Sequence, residues 1–262
     1  MKFNVGVLVA GLAVGLLVGE RLRPLRRRVE NQTARDLRNL VIGALSAATV
    51  TLLQTPLVEP LARQVERRRW GLAQQGRLPG WARTATAVVL MDYTLYLWHV
   101  LTHRLPWLWR LHATHHSDRD LTASTALRFH FVEMAASIPW RALQVAALGA
   151  SPRALRLWQT LTLGAILFHH SNLRLPERLE RRLGWVLATS RMHGIHHSVV
   201  RAEQDSNWSS GLSLWDRLHG TLRWDPPQES IVVGVPAAQA QDRLGLARTL
   251  ALPFLPRAEA AT

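Results

Sequence analysis

The chain has 262 residues, room for one or two domains, and 48% of them are hydrophobic, an ordinary share for a soluble protein. It has no cysteine, which excludes disulfides, cysteine-held zinc, iron–sulfur clusters and thiol catalysis, so any metal must rest on His, Asp or Glu. The formal charge of +14 is almost wholly arginine, Lys2 being the only lysine; the arginines flank apolar blocks, a pattern of membrane surfaces that argues against a nucleic-acid partner.

Residues 5–19 form a nearly pure apolar run. Its basic cluster (Arg21, Arg23, Arg26, Arg27, Arg28) follows it, the reverse of a signal peptide, so an uncleaved anchor is expected. Residues 40–58 are a second candidate span. The flanking stretches 20–38 and 59–83 hold seven and six arginines, so a crossing there breaks the positive-inside bias on one side. Two readings satisfy this: a re-entrant segment, or arginines of 59–83 lying along the headgroups.

Residues 84–101 make a third span, with Asp92, Tyr96 and His99 inside it. Residues 131–148 and 154–168 make a fourth and fifth, joined by the short turn 149–153, and read as a helical hairpin returning to one side. From about Asn172 the chain is polar and arginine-rich, as in a soluble lobe, and the stretch after about Pro226 carries no readable motif and is expected to be partly disordered. The expected fold is therefore all-α: an integral-membrane helical bundle of about four to five spans, capped by a histidine-rich helical lobe. Three regions follow: membrane anchors and basic loops (1–80), a histidine domain (81–225) and a tail (226–262).

All 12 histidines lie between His99 and His219. His99 and His103 are four apart. His112, His115 and His116 follow an HxxHH spacing, repeated by His193, His196 and His197. On a helix such residues share a face, so each group is expected to aim its imidazoles at one point. The hairpin returns His130 and the His169–His170 pair to the same side. Neutral imidazole ligates iron, zinc and copper, and the eight spaced histidines exceed the three or four that one zinc needs, so two metals are expected. Asp92, Tyr96, His99 and His103 form one helical stripe. An ionisable residue inside a span is costly, and Asp92 is placed either to accept a histidine N–H or to serve helix packing. Asp118, Glu133, Asp205 and Asp216 are weaker candidates of the same kind, Asp118 serving equally as a helix start.

Several stretches together resemble the fatty acid hydroxylase / sterol desaturase superfamily. They are Asp92-Tyr93-Thr94-Leu95-Tyr96-Leu97-Trp98-His99-Val100-Leu101-Thr102-His103, His112-Ala113-Thr114-His115-His116-Ser117-Asp118, Leu127-Arg128-Phe129-His130, His170-Ser171-Asn172-Leu173-Arg174-Leu175-Pro176, Met192-His193-Gly194-Ile195-His196-His197-Ser198 and Leu214-Trp215-Asp216-Arg217-Leu218-His219-Gly220-Thr221. The resemblance covers roughly residues 81–223. It implies cytoplasmic histidines over a membrane bundle, holding two irons that activate O2 by iron-oxo chemistry to hydroxylate or desaturate a lipid C–H. The ligands it implies are His99, His103, His112, His115, His116, His170, His193, His196 and His197, with Asp92, Asp118, His130 and Asp205 as supporting candidates. His170, followed by Ser171-Asn172, fits the pattern better than His169. His219 stands where the family usually has phenylalanine and is expected not to ligate; Val100, Phe131, Ser190 and Trp208-Ser209 also depart from the pattern.

No haem module or flavin fingerprint is visible, so electrons are expected from a separate donor of ferredoxin or cytochrome type with its reductase. The composition suggests a bacterial inner membrane. Two other readings compete: a histidine-ligated zinc hydrolase, which needs only three protein ligands, and a non-catalytic membrane protein with a structural metal site.

Overall fold

A computed structural model of the chain describes residues 5–239 and 245–255. It is helical, with only isolated bridges between extended residues and no strand among the described residues. Helix α1 (Val5–Leu22) outruns the expected anchor. Helices α2 (Gln32–Thr49) and α3 (Thr55–Arg68) are joined without a break by a π-helical turn, Val50–Gln54. Asn31 caps α2, its side chain accepting from the Ala34 N–H. The joined helix runs about 55 Å at 1.5 Å per residue and does not turn back, so Arg63, Arg67 and Arg68 ride on its continuation. The re-entrant reading of residues 40–58 is therefore set aside. This stretch, Gln32–Gln74, is the one described helix long and apolar enough to cross a membrane, by length and composition only.

Helix α4 (Gly80–Arg104) ends at Pro106, which starts α5 (Pro106–His116); proline lacks the N–H that α4 would need to continue. The expected hairpin exists, but its first arm is broken. Residues 131–148 fold as α6 (Phe131–Ala136) and α7 (Ile138–Leu148), parted at Ser137, because Pro139 cannot donate into the turn before it. Gly149, at φ 78°, ends α7; its left-handed backbone and the Trp70 carbonyl 2.8 Å from a built Cβ both exclude a side chain there. Helix α8 (Pro152–His170) returns, capped by Ser151.

Shorter helices follow: α9 (Glu177–Leu183), α10 (Ser190–His196), α11 (Arg201–Gln204), α12 (Leu214–Leu218), α13 (Pro236–Gln239) and α14 (Leu246–Ala251). The tail, expected to be partly disordered, is built into the molecule where it is described. Arg110 of α5 donates to the Pro253 and Leu255 carbonyls, and Val235, Ala238 and Leu252 pack with Trp109. The remainder of that expectation, residues 240–244 and 256–262, lies outside the described residues.

The interior is polar at one end and apolar at the other. An apolar cluster joins α3, α4, α7 and α8 through Val58, Val65, Met91, Val145, Leu155 and Trp158. The histidine-bearing ends of α4, α5, α8 and α10 meet elsewhere, where buried polar side chains are concentrated. Leucines and valines of α1, α2 and α8 meanwhile face outward.

Candidate metal centre

Nine buried histidines draw their nitrogens into two groups: His99, His103, His112, His116 and His196, and separately His115, His170, His193 and His197, each with ligand atoms within 4.8 Å of one another. These are the nine histidines singled out from the sequence, but their sorting corrects the sequence reading. Neither HxxHH motif aims at one point. His112 and His116 turn to the first group while His115 turns to the second; His193 and His197 turn to the second while His196 turns to the first. The physical reason is rotation. Residues three and four apart on a helix differ by about 100° around its axis, so the two neighbours at the end of each motif diverge. The two motifs interlock, each lending one imidazole to the group the other dominates.

In the first group the ring orientations are fixed from behind. His99 Nδ1–H donates to the Trp208 carbonyl (2.8 Å), His196 Nδ1–H to the Ser206 carbonyl (2.9 Å) and His112 Nδ1–H to Glu133 Oε1 (2.8 Å). Carbonyls only accept, so His99 and His196 carry their proton on Nδ1, and each Nε2 lone pair faces its group. The Nε2 atoms of His99, His112 and His196 are buried without a hydrogen-bond partner, as are both ring nitrogens of His103 and His116. Buried ring nitrogens without partners are costly, and a cation would engage the lone pair that each ring presents.

The second group is tighter. His170 Nδ1–H donates to the Ile166 carbonyl (2.7 Å), and its Nε2 lies 3.0 Å from His115 Nε2 and 2.9 Å from His193 Nε2; His193 Nε2 is 3.1 Å from His197 Nε2. Two nitrogens each about 2.1 Å from one ion, at right angles, sit about 3.0 Å apart, so this spacing suits a shared metal. A neutral imidazole has a single N–H, and His193 Nε2 cannot donate to both neighbours.

Burial, reinforced by crowding, keeps these rings uncharged. It pushes His196 and His170 down to about 3, and His103, His115, His116, His193 and His197 well below the ordinary histidine range. Neutral imidazole is the ligating form. The donor set therefore fits two histidine-held metal ions.

The supporting candidates separate. Glu133 does hold a histidine ring, that of His112. Asp92 does not: it accepts from Trp215 Nε1 (2.7 Å) and the Leu212 N–H (3.0 Å), tying α4 to α12, which is the helix-packing role. Asp118, fully buried, accepts from Arg35 Nη1 (2.7 Å), Asn39 Nδ2 (2.9 Å) and Thr125 Oγ1 (2.8 Å). Burial pushes its carboxyl up, but Arg35, Arg128 and Arg38 overcome that and hold it below the ordinary range. It is neither a helix start nor a histidine partner; it pins the end of α5 to α2. Asp205 pairs with Arg201 (3.0 Å) and Arg104 (3.3 Å). His130 lies in neither group: its Nδ1 accepts from the Val132 N–H (3.2 Å) as the cap of α6, and its Nε2–H donates to the Leu250 carbonyl (3.1 Å). His169 is buried beside His170 and His193 but outside both groups. His219 stacks on Tyr93 and Tyr96, its Nε2 3.1 Å from the Tyr93 hydroxyl. Asp216 accepts from the Trp208 and Ser209 N–H groups, which sets the Trp208 carbonyl behind His99.

The sequence reading missed the carbonyls of Trp208 and Ser206, since a backbone acceptor leaves no residue signature. It also missed Phe129, stacked on His115 at 4.4 Å, although Phe129 lies within the recognised Arg-Phe-His element. In front of the histidines lies a cavity of about 280 Å³, walled by Leu95, Trp98, Met134, Leu163 and Ile166 and reaching Trp158.

The chain is 33% identical over 172 residues to the ornithine lipid hydroxylase OlsE of Rhizobium tropici, covering 64% of this chain and 49% of that protein. It is 28% identical to cholesterol 25-hydroxylase of Mus musculus, covering 55% of this chain and 48% of that protein. It is 29% identical to alkylglycerol monooxygenase of Xenopus tropicalis, covering 55% and 31%. The chain thus spans half or less of the length of these relatives, and no solved structure matches it. Residues 84–221, more than half of the chain and the stretch that carries every converging histidine, match the family described as Fatty acid hydroxylase, and the protein belongs to that family.

Proposed function

We propose that the protein is a membrane-bound di-iron oxygenase that hydroxylates or desaturates a C–H bond of a membrane lipid. The observation that carries this reading is the pair of groups formed by nine buried histidines, five of which line an adjoining, largely apolar cavity. His99, His103, His112, His116 and His196 would hold one ion, and His115, His170, His193 and His197 the other. Bound iron supplies the oxidising chemistry, activating O2 toward an unactivated C–H. The chain does the rest. Glu133 and the Trp208 and Ser206 carbonyls hold ring tautomers, Phe129 fixes the plane of His115, and Leu95, Trp98, Leu163 and Ile166 exclude water and align a chain.

Outward leucines and valines on α1, α2 and α8 support a bundle of four to five spans, with residues 81–225 as the oxidising unit and the flanks 1–80 and 226–262 bracing it. A separate electron donor of ferredoxin or cytochrome type serves the site from the cytoplasmic face of a bacterial inner membrane. The relatives' names, an ornithine lipid hydroxylase, a cholesterol 25-hydroxylase and an alkylglycerol monooxygenase, support a lipid substrate. The test is lipid profiling of cells with and without the gene, alongside metal analysis of iron-replete protein. A lipid gaining one oxygen or losing two hydrogens only when the gene is present, with about two irons per chain, is the expected result. A single tightly held zinc with unchanged lipids overturns it.

A further inference from the structure

An alkyl chain needs only apolar walls, yet the cavity before the histidines holds a cation. Arg141 of α7 lines it, with Trp158 of α8 stacked against the guanidinium at 4.1 Å. Its Nη1 donates to Gln144 Oε1, and its Nε is buried with no partner. No carboxylate pairs with it among the described residues. Three arginines buried more deeply have polar partners and feel nearby acids. Arg35 is bound by Asp118; Arg128 donates to the Thr114 carbonyl, Asn39 and Ser117; Arg26 donates to the Ser190 carbonyl and Gln228. A lone guanidinium at the depth of a membrane span is costly and calls for a counter-charge.

Its place in the cavity says where that counter-charge sits. Glu133, Ser137 and Arg141 all line the cavity, four residues apart along α6 and α7. Glu133, at the histidine end, is already engaged by His112. Arg141 lies two helical turns further, about 12 Å away by helical rise, with Gln54 of the π-helical turn and Gln159 of α8 on the same lining. The far end is therefore polar and cationic, and the walls between are apolar.

We propose that Arg141 binds an oxyanion of the substrate, a carboxylate or a phosphate, leaving the alkyl segment to run along the apolar walls toward the histidines. The guanidinium meets such a group with paired hydrogen bonds that an alcohol cannot match. Fixing one end also fixes which carbon faces the metals, which makes Arg141 a determinant of position as well as affinity. The inference rests on the lipid-oxidising reading of the cavity.

The test is binding to the full-length protein in neutral detergent, read by native mass spectrometry with palmitate, hexadecyl phosphate and hexadecanol. At least one anion is expected to bind roughly 10–100-fold more tightly than hexadecanol, the span expected of one charge-assisted contact. Arg141→Met should abolish that preference while still binding hexadecanol, which also shows that the variant is folded; Arg141→Lys should keep part of it. Leu163→Trp, which fills the apolar wall, should abolish all three. The stronger of the two anions separates a carboxylate from a phosphate source. Equal binding of anions and alcohol, or an undiminished preference in Arg141→Met, overturns the inference and leaves the lipid reading standing. Absence of binding by all three, or binding that survives Leu163→Trp, overturns both.

Discussion

The two histidine groups are built differently although they share both HxxHH motifs. In the first, three of five rings are oriented from behind by Glu133 and the carbonyls of Trp208 and Ser206. In the second, only His170 has such a partner; His115 is held by stacking on Phe129, and His197 lies flat against His116 at 4.2 Å. One group is positioned by hydrogen bonds to the scaffold, the other by packing and by its own members. Rotational precision at the first is set by the scaffold, whereas the second depends on how its own rings pack together.

The largest effects that could break this comparison come from ligands. His196→Ala removes the imidazole that its motif lends to the first group, and His115→Ala removes the one lent to the second. Each should leave about one iron in place of two and abolish oxidation, measured by elemental analysis of protein at wild-type expression. Full iron content in both variants would show that the groups are not metal cages.

Next in size is the brace beneath them. Asp118→Ala strands Arg35 inside the protein without its 2.7 Å partner, and breaking a buried pair from one side costs about 3–5 kcal/mol. The loss should appear as thermal destabilisation of metal-free protein too, because the hydrogen bonds of Asp118 go to Arg35, Asn39 and Thr125. An effect confined to the metal-loaded form would mean that Asp118 acts on the site directly.

Glu133→Gln sharpens the contrast between the groups. It keeps an acceptor opposite His112 Nδ1–H but removes the charge, and losses of such supporting partners cost about 10–100-fold in metal affinity or activity. The weakening should fall on one ion only, so a titration with chelator should release the two metals at separate concentrations. Simultaneous release would show that the groups act as one unit.

How much of this was legible follows from what leaves a mark in sequence. The nine converging histidines were readable because ligation demands a residue type and a spacing, and both are visible in His112, His115 and His116. Their division between two groups was not, because it depends on helix rotation and on the approach of α10 to α5, which no local pattern encodes. Asp92 illustrates the same limit. Its stripe with His99 and His103 suggested a histidine partner, but its carboxylate turns to Trp215, 123 residues away. The break at Ser137 was announced by Pro139, yet an apolar count over residues 131–148 smooths it away. Arg141 escaped notice because its charge is ordinary in an arginine-rich chain; its place in the cavity, with no carboxylate paired to it among the described residues, is a property of the fold.

The smallest expected effect tests whether spacing or mere histidine content made the site. His219 is the histidine that stands in the place of the family's usual phenylalanine. It lies outside both groups and is exposed, with its ring stacked on Tyr93 and Tyr96 and one hydrogen bond to the Tyr93 hydroxyl. Phenylalanine preserves the stacking surface and forfeits only that bond, about 0.5–1.5 kcal/mol at most, and less where water can replace it. His219→Phe should therefore keep two irons, full activity and nearly unchanged thermal stability. Loss of iron in this variant, with iron retained in His115→Ala and His196→Ala, would invert the assignment of ligands and bystanders. It would mean that the converging nitrogens are a hydrogen-bonded core and that the metal chemistry resides near Tyr93 and Tyr96.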